Sequence, residues 1–184
     1  MPNWVFNSVT FPEKQDFKRF VEKFCKAESN TVFLFSNIIP EPETKDECPK
    51  EYLLDETGMT KEGYRIQNDE KDWFNWYAWH CDKWGVKWEA MNFAIREDLN
   101  SISFDTAWGE PIRVYEKLAR DGWRFSFAAC GECNEWIAEG HSENGKIVFD
   151  KEECSQIQSD ENPPPSCDNE DSTDSADFSG NIPF

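Results

Sequence analysis

Two cysteines separated by two residues, Cys130 and Cys133, form the most recognisable chemical motif of this sequence. In a zinc knuckle this spacing lets a turn direct two thiolates at one metal ion. Further ligands could come from His80, Cys81, His141 or Cys154. The sequence has no second closely spaced pair, and residues three apart on a straight strand point to opposite faces, so zinc binding requires a turn at Gly131. Structural thiols beside a β-turn are therefore favoured over a cofactor site, with zinc as the alternative.

Aromatic residues between positions 73 and 88 offer flat rings on which a ligand or a nucleobase can stack. Most of the large side chains fall at helical spacing on one stripe: Trp73, Trp76, Tyr77, His80 and Trp84. That spacing favours packing in a core. Trp79 lies off the stripe, so we predict it to be the exposed ring of the group and a contact for a partner.

Acid–base catalysis has little support in the sequence. Only two histidines are present, and carboxylates are so abundant that a pair such as Asp98 and Asp105 is expected by chance. Neither a glycine-rich phosphate loop nor a nucleophile elbow occurs. We therefore expect a protein that is not an enzyme.

The charge balance restricts the partners. The 184 residues include 37 acidic and 19 basic ones, a formal net charge of -18, and residues 1–150 keep 28 acids against 18 basic residues, or -10. Such a surface repels phosphate backbones and anionic lipids, so we expect no direct nucleic-acid or membrane binding. No stretch approaches the roughly 20 apolar residues of a membrane span, and the N-terminus lacks a secretory signal. Seven cysteines, an odd number, are interpreted as reduced thiols of a cytoplasmic protein.

The elements that position these residues begin with a predicted strand over residues 4–11, followed by a helix with Pro12 at its first position. The apolar residues of this helix share one face: Phe17, Phe20, Val21, Phe24 and Cys25. Residues 31–39 form an apolar run ended by Pro40 and predict a second strand. Residues 41–72, with 11 acidic and five basic residues, predict an irregular surface insertion.

After the aromatic helix, which Gly85 ends, the hydrophobic period changes to two and predicts a hairpin. The coinciding apolar faces place 95 opposite 102, 93 opposite 104 and 91 opposite 106. A helix then starts at Pro111 and ends at Gly122, with Ile112, Tyr115 and Leu118 on its inner stripe. A strand over residues 123–127 follows. The last predicted elements are strands at 136–139 and 146–149, joined by a turn at Asn144 and Gly145.

The order strand, helix, strand, strand, helix, strand predicts an α+β protein. Its fold would be a ferredoxin-like split βαβ sandwich, with an antiparallel sheet and helices on one face. This domain is expected to comprise residues 1–150, with the insertion at about 40–72. Residues 155–184 contain seven acids, three consecutive prolines and no Lys or Arg. We therefore predict residues 151–184 to be a disordered acidic tail.

Several short motifs resemble the YubB-type ferredoxin-like domain family of plasmids and bacteriophages. They occupy residues 1–7, 38–42, 73–76, 84–88 and 104–111, and the most specific are Trp-Gly-x-Lys-Trp at 84–88 and Phe-x-Thr-Ala-Trp-x-x-Pro at 104–111. The resemblance covers about residues 1–150 and implies a mobile genetic element and a bacterial host cytoplasm. It implies no activity common to the family. Cys130-Gly131-Glu132-Cys133 and the acidic tail depart from the family pattern.

The acidity then leads to a functional hypothesis, in which the protein binds a host protein with a basic surface. That partner would be a nucleic-acid-binding defence factor, inhibited by a surface that mimics nucleic acid. The carboxylates assigned to this contact are in the insertion: Glu41, Glu43, Asp46, Glu47, Glu51, Asp55 and Glu56. The alternative is a small metal-binding or nucleotide-handling domain that uses Cys130, Cys133 and the Trp-rich region.

Overall fold

The computed structural model describes residues 3–25, 32–66, 71–132 and 136–154. Within these ranges it is an α+β protein with three α-helices and a six-stranded antiparallel sheet. The strands are β1 Trp4–Thr10, β2 Met91–Arg96, β3 Ser101–Ala107, β4 Ser126–Gly131, β5 Trp136–Glu143 and β6 Lys146–Cys154. The helices are α1 Lys14–Phe24, α2 Trp76–Lys83 and α3 Ile112–Arg120. Among the described residues, none of the helices combines the length and the apolar composition that a membrane span requires.

The sheet has the strand order β2-β3-β1-β4-β5-β6, with β1 paired to β3 on one side and β4 on the other. Side chains alternate along β1, as expected for a strand with one covered face. Val5 and Val9 are buried, whereas Phe6 on the opposite face is 54% exposed. The tight turn between β5 and β6 has positive φ at both Asn144 and Gly145, which confirms the predicted hairpin.

The core lies between this sheet and the helices, and aromatic rings fill most of it. The helix α1 contributes Phe17, Phe20 and Phe24, three residues of the predicted stripe. Trp123 stands at a right angle to Phe20, with their centroids 5.4 Å apart. The helix α3 places Tyr115 against Phe127 of β4. Burial of these rings supplies the main driving force that keeps α1 and α3 on the sheet.

The predicted strand over residues 31–39 is wrong. The described residues from 32 to 39 contain a 3₁₀ helix, Phe35–Asn37, although Phe33 and Phe35 are buried as the apolar run suggested. The Glu89 carboxylate accepts hydrogen bonds from the backbone N–H groups of Phe35 and Ser36, at 3.0 Å for Ser36. This side chain satisfies donors that a strand neighbour would otherwise satisfy, so the segment enters the core without joining the sheet.

Other boundaries differ from the prediction by a few residues. The helix α1 begins at Lys14, so Pro12 is not its first residue, and β4 begins only at Ser126, after the buried Trp123 and Phe125. In the β2–β3 hairpin Ile95 lies opposite Ile102 as predicted, but a bulge places Met91 opposite Asp105 rather than Thr106. The bulge adds a residue to β2, and the register shifts by one.

The domain boundary predicted at residue 150 is too early, because β6 continues to Cys154. Residues 151–154 therefore belong to the sheet. The predicted acidic tail, from residue 155 onward, lies outside the described residues.

The insertion is irregular, as predicted, but it is not confined to the surface. Its described part contains one 3₁₀ helix, Lys50–Tyr52, and isolated bridges such as that between Leu53 and Phe74. Cys48, Tyr52 and Leu54 are buried. Because these side chains anchor the insertion on the core, its charged residues are held in place around them.

Candidate functional site

Six of the seven carboxylates predicted to contact a partner are exposed on the insertion: Glu43, Asp46, Glu47, Glu51, Asp55 and Glu56. Among the described residues none of these six forms an ion pair within 4.0 Å. Local hydrogen bonds fix two of them. The Asp55 carboxylate accepts bonds from Thr57 and Met59, which lower its pKa, and the Glu47 carboxylate accepts one from the backbone of Glu43.

Glu41, the seventh carboxylate, has a structural role. Its carboxylate is half-buried and lies 2.6 Å from Nε2 of His80 and 2.9 Å from Nζ of Lys71. The hydrogen bond from His80, aided by Lys71, lowers the Glu41 pKa to about 2 although burial acts in the opposite direction. The Nδ1 atom of His80 faces the carbonyl oxygen of Lys87 at 2.8 Å. This group of residues ties the insertion to α2 and is not available to a partner.

Trp79 is only 4% exposed, so the prediction that it is the exposed ring of the aromatic group is wrong. It packs edge-on against Phe74 and Trp84 in the core. The helix begins at Trp76, three residues later than the sequence pattern indicated, and its buried face contains Trp79 and His80. Tyr77, assigned to the buried stripe, is the ring that is 37% exposed.

Gly131 does not form the turn that zinc binding would require, because Cys130 and Gly131 are the last residues of β4. Cys133 lies outside the described residues, so the geometry of the cysteine pair stays a prediction. Within the described ranges no group of three His, Cys, Asp or Glu side chains is arranged to hold a metal ion. His80, one of the suggested ligands, already has both ring nitrogens engaged by Glu41 and Lys87.

A pocket that the sequence analysis did not identify lies where the start of β5 and the end of β6 meet the segment between β3 and α3. It encloses about 470 Å³. We call it the tryptophan–glutamate pocket, and its lining residues are Trp108, Gly109, Glu110, Trp136, Ile137, Ala138, Glu152 and Glu153. Two tryptophans and three glutamates therefore contribute to the lining of one cavity.

A chain of buried hydrogen bonds supports the first wall of the tryptophan–glutamate pocket. The Tyr115 hydroxyl donates to Oδ1 of Asn7 at 3.2 Å, and Nδ2 of Asn7 donates to Oγ1 of Thr106 at 2.8 Å. The Thr106 hydroxyl then donates to the carbonyl oxygen of Gly109 at 2.6 Å. Asn7, Thr106 and Tyr115 are fully buried, and this network fixes the turn that follows β3.

The turn holds Trp108 in an unusual conformation. Its φ is +73°, in the left-handed region that a bulky residue seldom adopts, and its side chain is 51% exposed. Such a conformation costs about 1–2 kcal/mol and persists only where the surroundings impose it. Here the bonds from Thr106 to Gly109 and from the Trp108 N–H to the carbonyl oxygen of Asn3 impose it. An exposed indole is thereby presented at a fixed position.

The second wall, Trp136, depends on Gly131. A Cβ atom at residue 131 would lie 2.6 Å from Nε1 of Trp136, closer than any normal contact. The indole thus rests directly on the backbone of β4, a close approach that only glycine permits. Gly131 of the cysteine motif therefore serves packing of Trp136 and not a turn.

Two carboxylates of the tryptophan–glutamate pocket, those of Glu110 and Glu152, repel one another. Burial raises the pKa of Glu110, and the negative charge of Glu152 raises it further. In the described part of the chain no ion pair involves Glu110 or Glu152, whereas Glu153 pairs with Lys151 at 3.0 Å. A cation beside Glu110 and Glu152 would reduce this repulsion.

Sequence reasoning missed this pocket because its walls come from three separate segments. One signal was present: the motif at 104–111 contains Thr106, Trp108 and Glu110, but it entered the sequence analysis only as part of a family resemblance. Comparison with known protein families, with curated proteins and with solved structures finds no match to this chain. The resemblance to the YubB-type domain therefore remains a prediction.

Proposed function

We propose that this protein is a non-enzymatic interaction protein that binds a partner with a basic surface. The observation that carries the proposal is the set of six exposed carboxylates on the insertion, which lack ion pairs among the described residues although the insertion also contains lysines. Acidic side chains left unpaired on an anchored segment attract cationic proteins and accelerate their association.

The proposal extends to the fold and the biological setting. The strand order β2-β3-β1-β4, with α1 and α3 packed against it, supports a ferredoxin-like split βαβ unit to which β5 and β6 are added. The motif resemblance supports an origin in a plasmid or bacteriophage and action in the bacterial cytoplasm. In that setting the partner is a nucleic-acid-binding host defence factor whose active surface the carboxylates cover.

The experiment compares capture of bacterial host proteins by the full chain and by two variants of equal charge. The first variant carries Glu43→Gln, Glu47→Gln, Glu51→Gln and Glu56→Gln in the insertion. The matched control carries Glu22→Gln, Glu97→Gln, Glu139→Gln and Glu143→Gln, four exposed glutamates elsewhere. The captured protein is identified by mass spectrometry and its affinity for each chain is then measured by calorimetry at low and high salt.

We expect the insertion variant to bind the partner about ten- to a hundredfold more weakly, and the control to lose only a few-fold. Binding by the wild-type chain should fall steeply with salt, and DNA or RNA should compete for the partner. Equal losses in both variants, or binding indifferent to salt, would show that the insertion is not the contact surface.

A further inference from the structure

The tryptophan–glutamate pocket combines the two kinds of group that bind organic cations. Indole faces attract cations through the ring quadrupole, and Trp108 and Trp136 both line the cavity. The Trp108 ring already holds one cation in this way, because Nζ of Lys87 lies 5.1 Å from its centroid. Carboxylates form charge-assisted hydrogen bonds with guanidinium or ammonium groups, and Glu110, Glu152 and Glu153 line the same cavity. An anionic ligand would be repelled by these glutamates, and a purely apolar ligand would leave them without a charged partner.

The site is held ready before any ligand arrives. The buried network from Tyr115 to Gly109 fixes Trp108 in its left-handed conformation, and Gly131 lets Trp136 lie against the sheet. Rings that are already ordered lose little conformational freedom on binding. A strained, exposed tryptophan at the rim of a cavity is also an arrangement that proteins maintain at ligand sites.

The negative charge of the pocket is incompletely compensated. Lys151 lies beside Glu153, but both are on the open edge strand, and within the described ranges Glu110 and Glu152 are in no ion pair. Glu110 is partly buried at the start of α3, so its carboxylate is poorly solvated. A cation seated between Glu110 and Glu152 would replace lost water and cancel their repulsion.

We propose that the tryptophan–glutamate pocket receives an arginine side chain of the basic partner, an inference that rests on the proposed function. A guanidinium group is planar, so it stacks on an indole while its N–H groups bind a carboxylate through two bonds. Lysine offers a compact, strongly hydrated charge that cannot do both. Arginine in the pocket would add specificity to the general attraction of the insertion.

The test uses the full chain with ¹⁵N-labelled tryptophan, and three blocked amino acids as probes: N-acetyl-arginine methylamide, the lysine equivalent and the uncharged citrulline equivalent. The indole N–H signals of Trp108 and Trp136 are assigned with Trp108→Phe and Trp136→Phe. We expect these two signals to shift saturably when the arginine probe is added. The lysine probe should bind with an affinity about five- to tenfold lower. The citrulline probe should leave them unshifted.

A charge-matched pair of variants locates the effect. The double variant Glu110→Gln with Glu152→Gln should bind the arginine probe at least about tenfold more weakly than the wild-type chain. The control, Glu97→Gln with Glu143→Gln, should bind it with an affinity within about twofold of wild type. Far-UV circular dichroism checks that each variant is folded. Equal shifts with citrulline, shifts spread evenly over all nine tryptophans, or tighter binding of free spermidine than of arginine would overturn the proposal.

The experiments distinguish failure of the pocket inference from failure of the proposed function. If the basic partner binds in a salt-dependent manner through the insertion while the arginine probe leaves Trp108 and Trp136 unshifted, the pocket inference is wrong and the proposed function stands. If the probe binds the pocket but the insertion variant retains its partner, the pocket stands as a guanidinium site and the proposed function is wrong.

Discussion

The insertion and the tryptophan–glutamate pocket are both acidic, but they are built differently. Apart from Glu41, the insertion carboxylates assigned to the partner contact are exposed on loops or on a short 3₁₀ helix, and the hydrogen bonds that fix two of them come from neighbours in sequence, as for Asp55 with Thr57. The carboxylates of the pocket stand beside two indoles whose positions depend on buried residues up to about a hundred positions away, such as Asn7 for Trp108. The insertion is acidic because of its amino-acid composition, whereas the pocket depends on how the fold brings distant residues together.

Because of this difference, we expect the insertion to attract a partner at long range and the pocket to discriminate between ligands at contact. The attraction exerted by exposed charges on loops extends over a Debye length of roughly 10 Å and is weakened by salt. It depends little on the exact positions of the charges. Groups fixed in a partly buried cavity act only at contact, but they discriminate between ligands by shape and hydrogen-bond geometry. A substitution that loosens the fold without changing the net charge should therefore affect the pocket and spare the insertion.

The largest effect is expected for Asn7→Ala, which removes the centre of the buried network. Tyr115 and Thr106 would each lose a hydrogen-bond partner in the core, so the free energy of unfolding should fall by about 3 kcal/mol. The arginine probe should also bind the pocket more weakly, although no pocket residue has changed. Urea denaturation measures the first effect and the indole titration the second.

Ser8→Ala is the matched control for Asn7→Ala, because Ser8 is the next residue of β1 and faces the opposite side of the sheet. Its unfolding free energy should change by no more than about 0.5 kcal/mol. Similar losses in both variants would mean that the network does not stabilise the turn at Trp108.

A smaller effect is expected for Glu41→Gln, on the insertion side of the comparison. The Glu41 pKa is about 2 in the folded protein and 4.5 as its ordinary value, so the ionised carboxylate stabilises the fold at pH above 4.5. The substitution should cost about 2–3 kcal/mol at neutral pH, and the difference from wild type should vanish as the pH falls from 4.5 to 2. Urea denaturation over this pH range measures it.

The exposed neighbour Glu43 provides the control for this measurement. Glu43→Gln should change the unfolding free energy little at any pH, since its carboxylate forms no ion pair among the described residues. A Glu41→Gln loss that persists undiminished at pH 2 would contradict the assigned role of its ionised form.

The smallest effect is expected for Gly131→Ala, which tests the packing of Trp136 alone. The new methyl group would force the indole to move, costing about 1–2 kcal/mol and reducing the affinity for the arginine probe several-fold. Gly109→Ala serves as a control for stability, because no atom lies within 4 Å of a Cβ there. Equal stability of the two variants would show that Trp136 adapts without cost.

Regular hydrophobic periods predicted most helices and strands well. The spacing of Phe17, Phe20 and Phe24 identified α1, and the Asn144-Gly145 pair identified the last hairpin, because each signal is local. The run at 31–39 was misread for a non-local reason. Its aromatic residues are buried as strand residues would be, but Glu89, more than fifty positions away, satisfies its backbone donors.

The candidate sites show the same limit. Six of the seven insertion carboxylates are exposed, as the acidic composition of this segment suggests, and their contact with a partner stays a prediction. Glu41 differs because His80 and Lys71, both distant from it in sequence, lie within hydrogen-bond distance of its carboxylate. The tryptophan–glutamate pocket could not be predicted, since the segments that carry Trp108 and Trp136 are brought near each other only by the β1–β3, β1–β4 and β4–β5 pairings. Residue spacing carries no information about such tertiary neighbours.

The position of β6 at the outer edge of the described sheet has a consequence for solubility. An edge strand has unpaired backbone groups with which another chain can pair, and the exposed Val148 and Phe149 would favour such association at β6. The next four residues include three acids, Asp150, Glu152 and Glu153, against one Lys151, so a second copy that approached edge to edge would bring like charges together. Two glutamates of the pocket thereby also act as gatekeepers against aggregation, and their neutralisation should be tolerated less well at high protein concentration.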